Sequence, residues 1–219
     1  AASGQRTMTV APEAGSVRMR NVINKGITEQ HVLNAVELAA AAGMKNIKLY
    51  YMLGLPGEAD SDIEEMIAMI LRVREKMDAA LNRGELIISV NGFIPKPFTP
   101  FQWSPLCDVK TLKRRFKMLE SAFKKAKHIQ VQTESLKETV LQAVLARGDR
   151  RIGKALLEAF QRELPLKQVL KEQGLDLEKL ATTAYEIGGP LPWRHLDMGF
   201  SEAYLISEWQ KAQREEFTP

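Results

Sequence analysis

Thr7-Met-Thr-Val-Ala-Pro-Glu-Ala-Gly-Ser16 and Asn46-Ile-Lys-Leu-Tyr-Tyr-Met-Leu-Gly-Leu-Pro-Gly-Glu58 are the stretches whose reading decides the fold. Each is an apolar, β-prone run that breaks into a tight turn of small or polar residues, and an amphipathic helical pattern comes after each. That alternation is the β–α unit of a parallel sheet. Such sheets place their chemistry at the carboxyl ends of the strands, so both turns sit where a ligand would be held.

Outward from these turns, Thr28 is a candidate N-cap for a helix carrying Val32, Leu33, Val36, Ala39 and Ala40 at helical spacing, and Gly43 stops it. The near-continuous apolar run 47–53 predicts a strand covered on both faces. Ser61-Asp-Ile-Glu64 reads as a capping box, with Ile63, Met66, Ile67, Ile70, Val73 and Met77 as one stripe after it. A third strand over 86–94 ends in Pro95-Lys-Pro-Phe-Thr-Pro100, which cannot continue a sheet ladder.

After Pro105 the pattern turns helical. Leu112, Phe116, Leu119, Phe123 and Ala126 keep an apolar stripe, while Lys110, Lys113, Arg114, Lys117, Lys124 and Lys125 take the other faces. The run 129–133 is a candidate further short strand, and helices are expected at about 134–147, 151–163, 166–173, 176–185 and 201–215. The sequence therefore predicts an α/β fold: residues 1–105 with three parallel strands and their helices, then a mainly helical region over 106–219. The chain opens on Ala1 and falls almost at once into a strand, which suggests a piece of a longer protein whose partner strands precede it. A sheet edge left open in this way is a place where a second copy would pair.

The 219 residues, 45% apolar, suffice for one large domain or two small ones. No run of eighteen apolar residues exists, so no membrane-spanning helix is expected. One cysteine, Cys107, rules out an internal disulfide and fits a reducing, cytoplasmic setting. The net charge of +4 permits an anionic partner without demanding one. RNA phosphates are a candidate for the basic helix 110–127 and for Arg147-Gly-Asp-Arg-Arg151, with a solvated helix face as the plainer reading.

Glu13, at the first strand end, can accept hydrogen bonds from hydroxyl or ammonium groups, and Gly15 permits close approach to the backbone. The plainer reading makes Glu13 solvated in a turn shaped by Pro12 and Gly15. The Gly54-Leu-Pro-Gly-Glu58 turn allows similar approach, and its plainer reading is an ordinary strand-to-helix turn. His31, His128 and His195 are scattered and read as structural, and no metal-ligand spacing is present.

Together these turns resemble the fourth and fifth strands of the radical S-adenosylmethionine enzymes, in the branch that includes the methylthiotransferases. In that branch the fourth strand ends in a Gln-Ser-Gly-Ser turn whose first residue contacts the cofactor, and a basic residue after an Asn, twelve positions on, holds its carboxylate. Glu13 takes the first place, ahead of Gly15 and Ser16, and Lys25 after Asn24 takes the second. Glu replaces Gln and Lys replaces Arg, which keeps a point charge but removes the bidentate fork.

Gly54, Pro56 and Gly57 match the family's Gly-Leu/Phe-Pro-Gly-Glu turn beside the adenosyl group, with Tyr50 where relatives carry an acid. Ile94 falls where a backbone meets the adenine. The resemblance, looser through Leu191-Pro-Trp-Arg-His-Leu-Asp197, points to uncharacterised Fe–S oxidoreductase-like members that often carry an upstream cobalamin-binding-like domain. It implies the C-terminal half of a (β/α)6 partial barrel in an enzyme that uses S-adenosylmethionine, a [4Fe–4S] cluster and, in some members, cobalamin. The family chemistry is formation of a 5′-deoxyadenosyl radical that abstracts hydrogen from a substrate. The Cys-x3-Cys-x2-Cys loop that ligates the cluster is absent here and is expected upstream, so this chain alone is expected to be inactive. The other readings are an unrelated α/β phosphate-binding domain and an RNA-binding or RNA-modifying module. The substrate is not legible.

Overall fold

The computed structural model describes residues 4–218. Its elements run β1 (Thr7–Glu13), α1 (Val17–Val22), α2 (Glu29–Ala41), β2 (Asn46–Leu53), α3 (Asp60–Ala79), β3 (Leu86–Gly92), α4 (Val109–Phe123), β4 (Ile129–Thr133), α5 (Leu136–Arg147), α6 (Arg150–Gln161), α7 (Leu166–Glu172), α8 (Leu177–Thr182) and α9 (Glu202–Gln213). The strands form one sheet in the order β1-β2-β3-β4, each neighbour parallel. This is the α/β architecture expected, and the 129–133 run supplies a fourth strand. None of the described helices is long and apolar enough to cross a membrane.

Two compact units interleave along the chain. The first takes the described residues through Gly92, then 110–134 and from 211 on; the second takes 93–109 and 135–210. Parallel pairing explains why the segment 110–134 returns to the first unit: β4 lies beside β3 with Leu86 opposite Ile129 and Val90 opposite Thr133. The helix before it, α4, buries Leu112, Phe116, Leu119 and Phe123.

Period-two alternation organises the sheet. On one face Ile47, Leu49, Tyr51 and Leu53 of β2 and Leu86, Ile88 and Val90 of β3 are buried. Facing stripes come from α2 through Val32, Val36 and Ala39, and from α3 through Ile63, Met66, Met69, Ile70, Val73 and Met77. On the other face Lys48, Tyr50 and Ser89 are only half-buried, and the Lys48 ammonium lies 4.7 Å from the Tyr50 ring centroid. The expectation that β2 is covered on both faces is thus corrected. The alternate residues of its apolar-looking run include Lys48, whose charge keeps that side from closing over.

Caps fix the helix starts. Thr28 accepts from the His31 amide at 3.2 Å while His31 Nδ1 accepts from the Thr28 amide at 3.3 Å, which gives His31 a structural task. The capping box expected at Ser61–Glu64 is displaced. Helix α3 begins at Asp60, and the Asp62 carboxylate accepts from the Ala59 amide at 2.7 Å. Asp62 stands three residues beyond the N-cap Ala59, the spacing at which an acid reaches back to the cap amide.

The second unit has its own core of Trp103, Leu191, Trp193 and Leu205, with Trp193 Nε1 donating to Gln102 at 2.8 Å. Arg147 is 1% exposed and donates to the carbonyls of Ser104 and Thr183, while its own carbonyl accepts from the Tyr185 hydroxyl. Arg151 pairs with Asp149. Arg147 is thus held among protein groups, whereas Arg150 and Arg151 of the same run are exposed.

Candidate functional site

The first unit concentrates its unusual chemistry at the carboxyl ends of β1 and β2. Glu13 closes β1 with φ at +68°, a left-handed value that a glutamate adopts only when its surroundings hold it there. The β1–β2 register slips between Val10 and Glu13, so the strand leaves its ladder as it reaches the carboxylate.

The turn beyond Glu13 is tightly built. Ser16, 1% exposed, caps α1 by accepting from the Met19 amide at 3.0 Å and donates its hydroxyl to Asp62 Oδ1 at 2.6 Å. Gly15 lies against α3, where a Cβ would stand 2.6 Å from the Asp62 carbonyl oxygen. The glycine thus admits a helix backbone, and the buried arginine Arg20 donates to the carbonyls of Ala14 and Gly15 at 3.1 and 2.9 Å. Burial lowers the Arg20 pKa, and the nearby Tyr51 hydroxyl works against that.

Helix α1 ends in a Schellman closure. Asn24 takes the left-handed position at φ +52°, its amide donates to Asn21 and the Lys25 amide donates to Arg20 at 2.8 Å. Asn is tolerated there because its side chain is short and polar. The six-residue helix therefore carries the chain out from Glu13 and back, and brings Lys25 Nζ to 3.6 Å from Glu13 Oε1. Both side chains keep about a third of their surface, 35% for Lys25 and 27% for Glu13, so the pair faces an accessible space.

The end of β2 is fastened differently. Leu55 to Glu58 form a turn closed by the Glu58 amide on the Leu55 carbonyl at 3.0 Å, with Pro56 first in the turn and Gly57 second at φ +79°. That is the type II pattern, whose third residue is best a glycine. The Glu58 side chain, 1% exposed, folds back to accept from the Gly54 amide at 2.6 Å and from Arg115 Nη1 at 2.9 Å. Burial pushes the Glu58 carboxyl up to about 7 against the pull of Gly54 and Arg115. Nearby, Arg114 pairs with Asp60.

Arg18 joins the two strand ends: it donates to the Gly57 carbonyl at 3.1 Å, to Asp62 and to Glu215 at 2.7 Å. Burial raises the Asp62 pKa, but Ser16, the Ala59 amide and Arg18 outweigh it and the net shift is downward. From the end of the chain, the Thr218 amide donates to Asn24 Oδ1 at 2.9 Å, and the Phe217 ring lies where a Cβ on Gly26 would be, 2.7 Å away.

Of the residues singled out from sequence, Glu13 and Lys25 meet, Gly15 and Ser16 serve the contact with α3, and Gly54, Pro56 and Gly57 form one turn tied to α1 by Arg18. Ile94 belongs to the second unit, two residues beyond β3, and is half-buried. Sequence reading missed Arg18, Arg20, Asp62, Arg115 and the tail. Arg115 had left a signal, since it falls inside the Leu112, Phe116, Leu119 stripe where a solvated arginine does not belong. Among the described residues no group of three or more His, Cys, Asp or Glu could hold a metal ion.

The family model of the Radical SAM superfamily matches residues 1–70, which hold both strand ends and the start of α3. An uncharacterised protein of Methanocaldococcus jannaschii is 40% identical over 151 residues, 69% of this chain and 32% of that protein. The chain thus spans about a third of the curated relative's length. No solved structure matches it.

Proposed function

We propose, from the match of residues 1–70 to the Radical SAM superfamily model, that this chain holds and orients S-adenosylmethionine inside a longer radical enzyme. The observation that carries the reading is the meeting of Glu13 and Lys25 at 3.6 Å, half-exposed, at the end of a parallel strand. The aminoacyl end of S-adenosylmethionine carries one ammonium and one carboxylate, so this pair is its complement: Lys25 holds the carboxylate and Glu13 the amino end. In this reading the Gly54–Gly57 turn borders the adenosyl group. When bound, the cofactor supplies radical chemistry; the residues here supply binding, orientation and charge.

The superfamily also uses an iron–sulfur cluster, and this chain does not fit one. It has a single cysteine, Cys107, and cluster ligation needs several thiolates. In our reading the ligands lie in another part of the longer protein. Nothing in the structure or the relatives supports cobalamin, RNA or pairing through the sheet edge, and the substrate stays unassigned.

The test is calorimetric titration of S-adenosylmethionine into the full-length, cluster-loaded protein. Lys25→Ala weakens binding at least about tenfold, a loss of about 1.4 kcal/mol, whereas Lys25→Arg keeps it, since arginine retains a cation that pairs with a carboxylate. Unchanged affinity in Lys25→Ala with the fold intact overturns the assignment.

A further inference from the structure

The second unit contains a cavity of about 600 Å3 between α5, α7 and the segment that enters α8. Most of its lining is apolar: Leu136 and Val140 come from α5, Leu175 from the segment before α8 and Leu177 from its first residue. Its volume lies inside the range of small-molecule sites, roughly 300–1,000 Å3.

Three lysines share that lining, Lys137 on α5 and Lys167 and Lys171 on α7. Lys167 and Lys171 are four apart on one helix and so project to the same side. All three are exposed, and none has an ion-pair partner among the described residues. Two carboxylates share the lining, Asp176, which caps α8 through the Lys179 amide at 3.0 Å, and Glu178, so the three ammonium groups still outnumber the opposing charges. Lysine stems lie readily along apolar surface while the ammonium stays at the water boundary. The cavity therefore offers hydrocarbon below and an excess of positive charge at its rim.

We propose that this cavity binds a small amphipathic anion, a hydrocarbon body ending in a phosphate or a carboxylate. The apolar lining takes the body, and the three ammonium groups take the head. The site is independent of the cofactor reading, since every residue in it belongs to the second unit.

Octyl phosphate and decanoate, each below its micellar concentration, are titrated into the full chain by calorimetry, with octanol and inorganic phosphate as the probes that lack one half of the chemistry. We expect saturable one-to-one binding of an amphipathic anion, at least about tenfold tighter than octanol or phosphate alone and weakened by salt. The Lys167→Gln/Lys171→Gln variant, altered only at exposed positions, should bind at least about tenfold more weakly. Binding of both anions, or of one, supports the proposal and identifies the head group. Absence of saturable binding, equal binding of octanol, or unchanged affinity in the double variant overturns it.

Discussion

At the scale of single residues, the strand-end turn works through contacts that differ in kind. Glu13 and Lys25 are charged groups left half-exposed, whereas Gly15 is defined by what it excludes. A methyl there would stand 2.6 Å from the Asp62 carbonyl oxygen, in a helix already packed at Met66. Gly15→Ala should therefore cost roughly 1–3 kcal/mol in chemical denaturation, the usual range for overpacking. A variant as stable as the parent would show that α3 yields readily. Glu13 was legible as a candidate because a carboxylate in a small-residue turn is conspicuous. Gly15 was legible as a glycine with a purpose, but whether it admits a ligand or a helix depends on what packs against it.

At the scale of elements, the β2 turn and α4 act together. Glu58 has an ordinary carboxyl pKa of 4.5 and is held at about 7 by burial, so the folded chain binds its proton more tightly than the unfolded chain does. Its stabilising contribution is therefore complete below about pH 4.5, declines as pH rises, and is lost above about 7. Between these values the parent should lose up to about 3 kcal/mol relative to Glu58→Gln, read from denaturation curves at pH 5 and pH 7.5. Parallel pH profiles for the two proteins would refute the coupling. Arg115→Met removes one of the groups that hold the Glu58 pKa down, so the window should move to higher pH. It should also cost roughly 3–5 kcal/mol at pH 8, because a buried charge is left unpaired. The helix α4 was legible from its stripe. That Arg115 turns inward was not, because its partner lies 57 positions earlier in the chain.

At the scale of the whole molecule, distant segments complete the first unit. Glu215, Phe217 and Thr218 reach Arg18, Gly26 and Asn24 across nearly the full sequence. Removal of residues 214–219 should raise hydrogen exchange at the amides of Lys25 and Ile27, which donate to Arg20 and Lys25. Unchanged exchange there would mean that the Schellman closure alone holds the loop. Local pattern was enough to predict the β–α alternation, the parallel sheet and the turns at its strand ends, because period and turn chemistry are written within a few residues of one another. Tertiary structure alone decided the rest: which face of β2 is covered, that 110–134 returns to the sheet, that Arg147 is buried, and that Lys25 reaches Glu13. Each of these depends on a partner far away in the chain or brought round by a turn, and a side chain's burial and charge environment are set by that partner rather than by its neighbours in sequence.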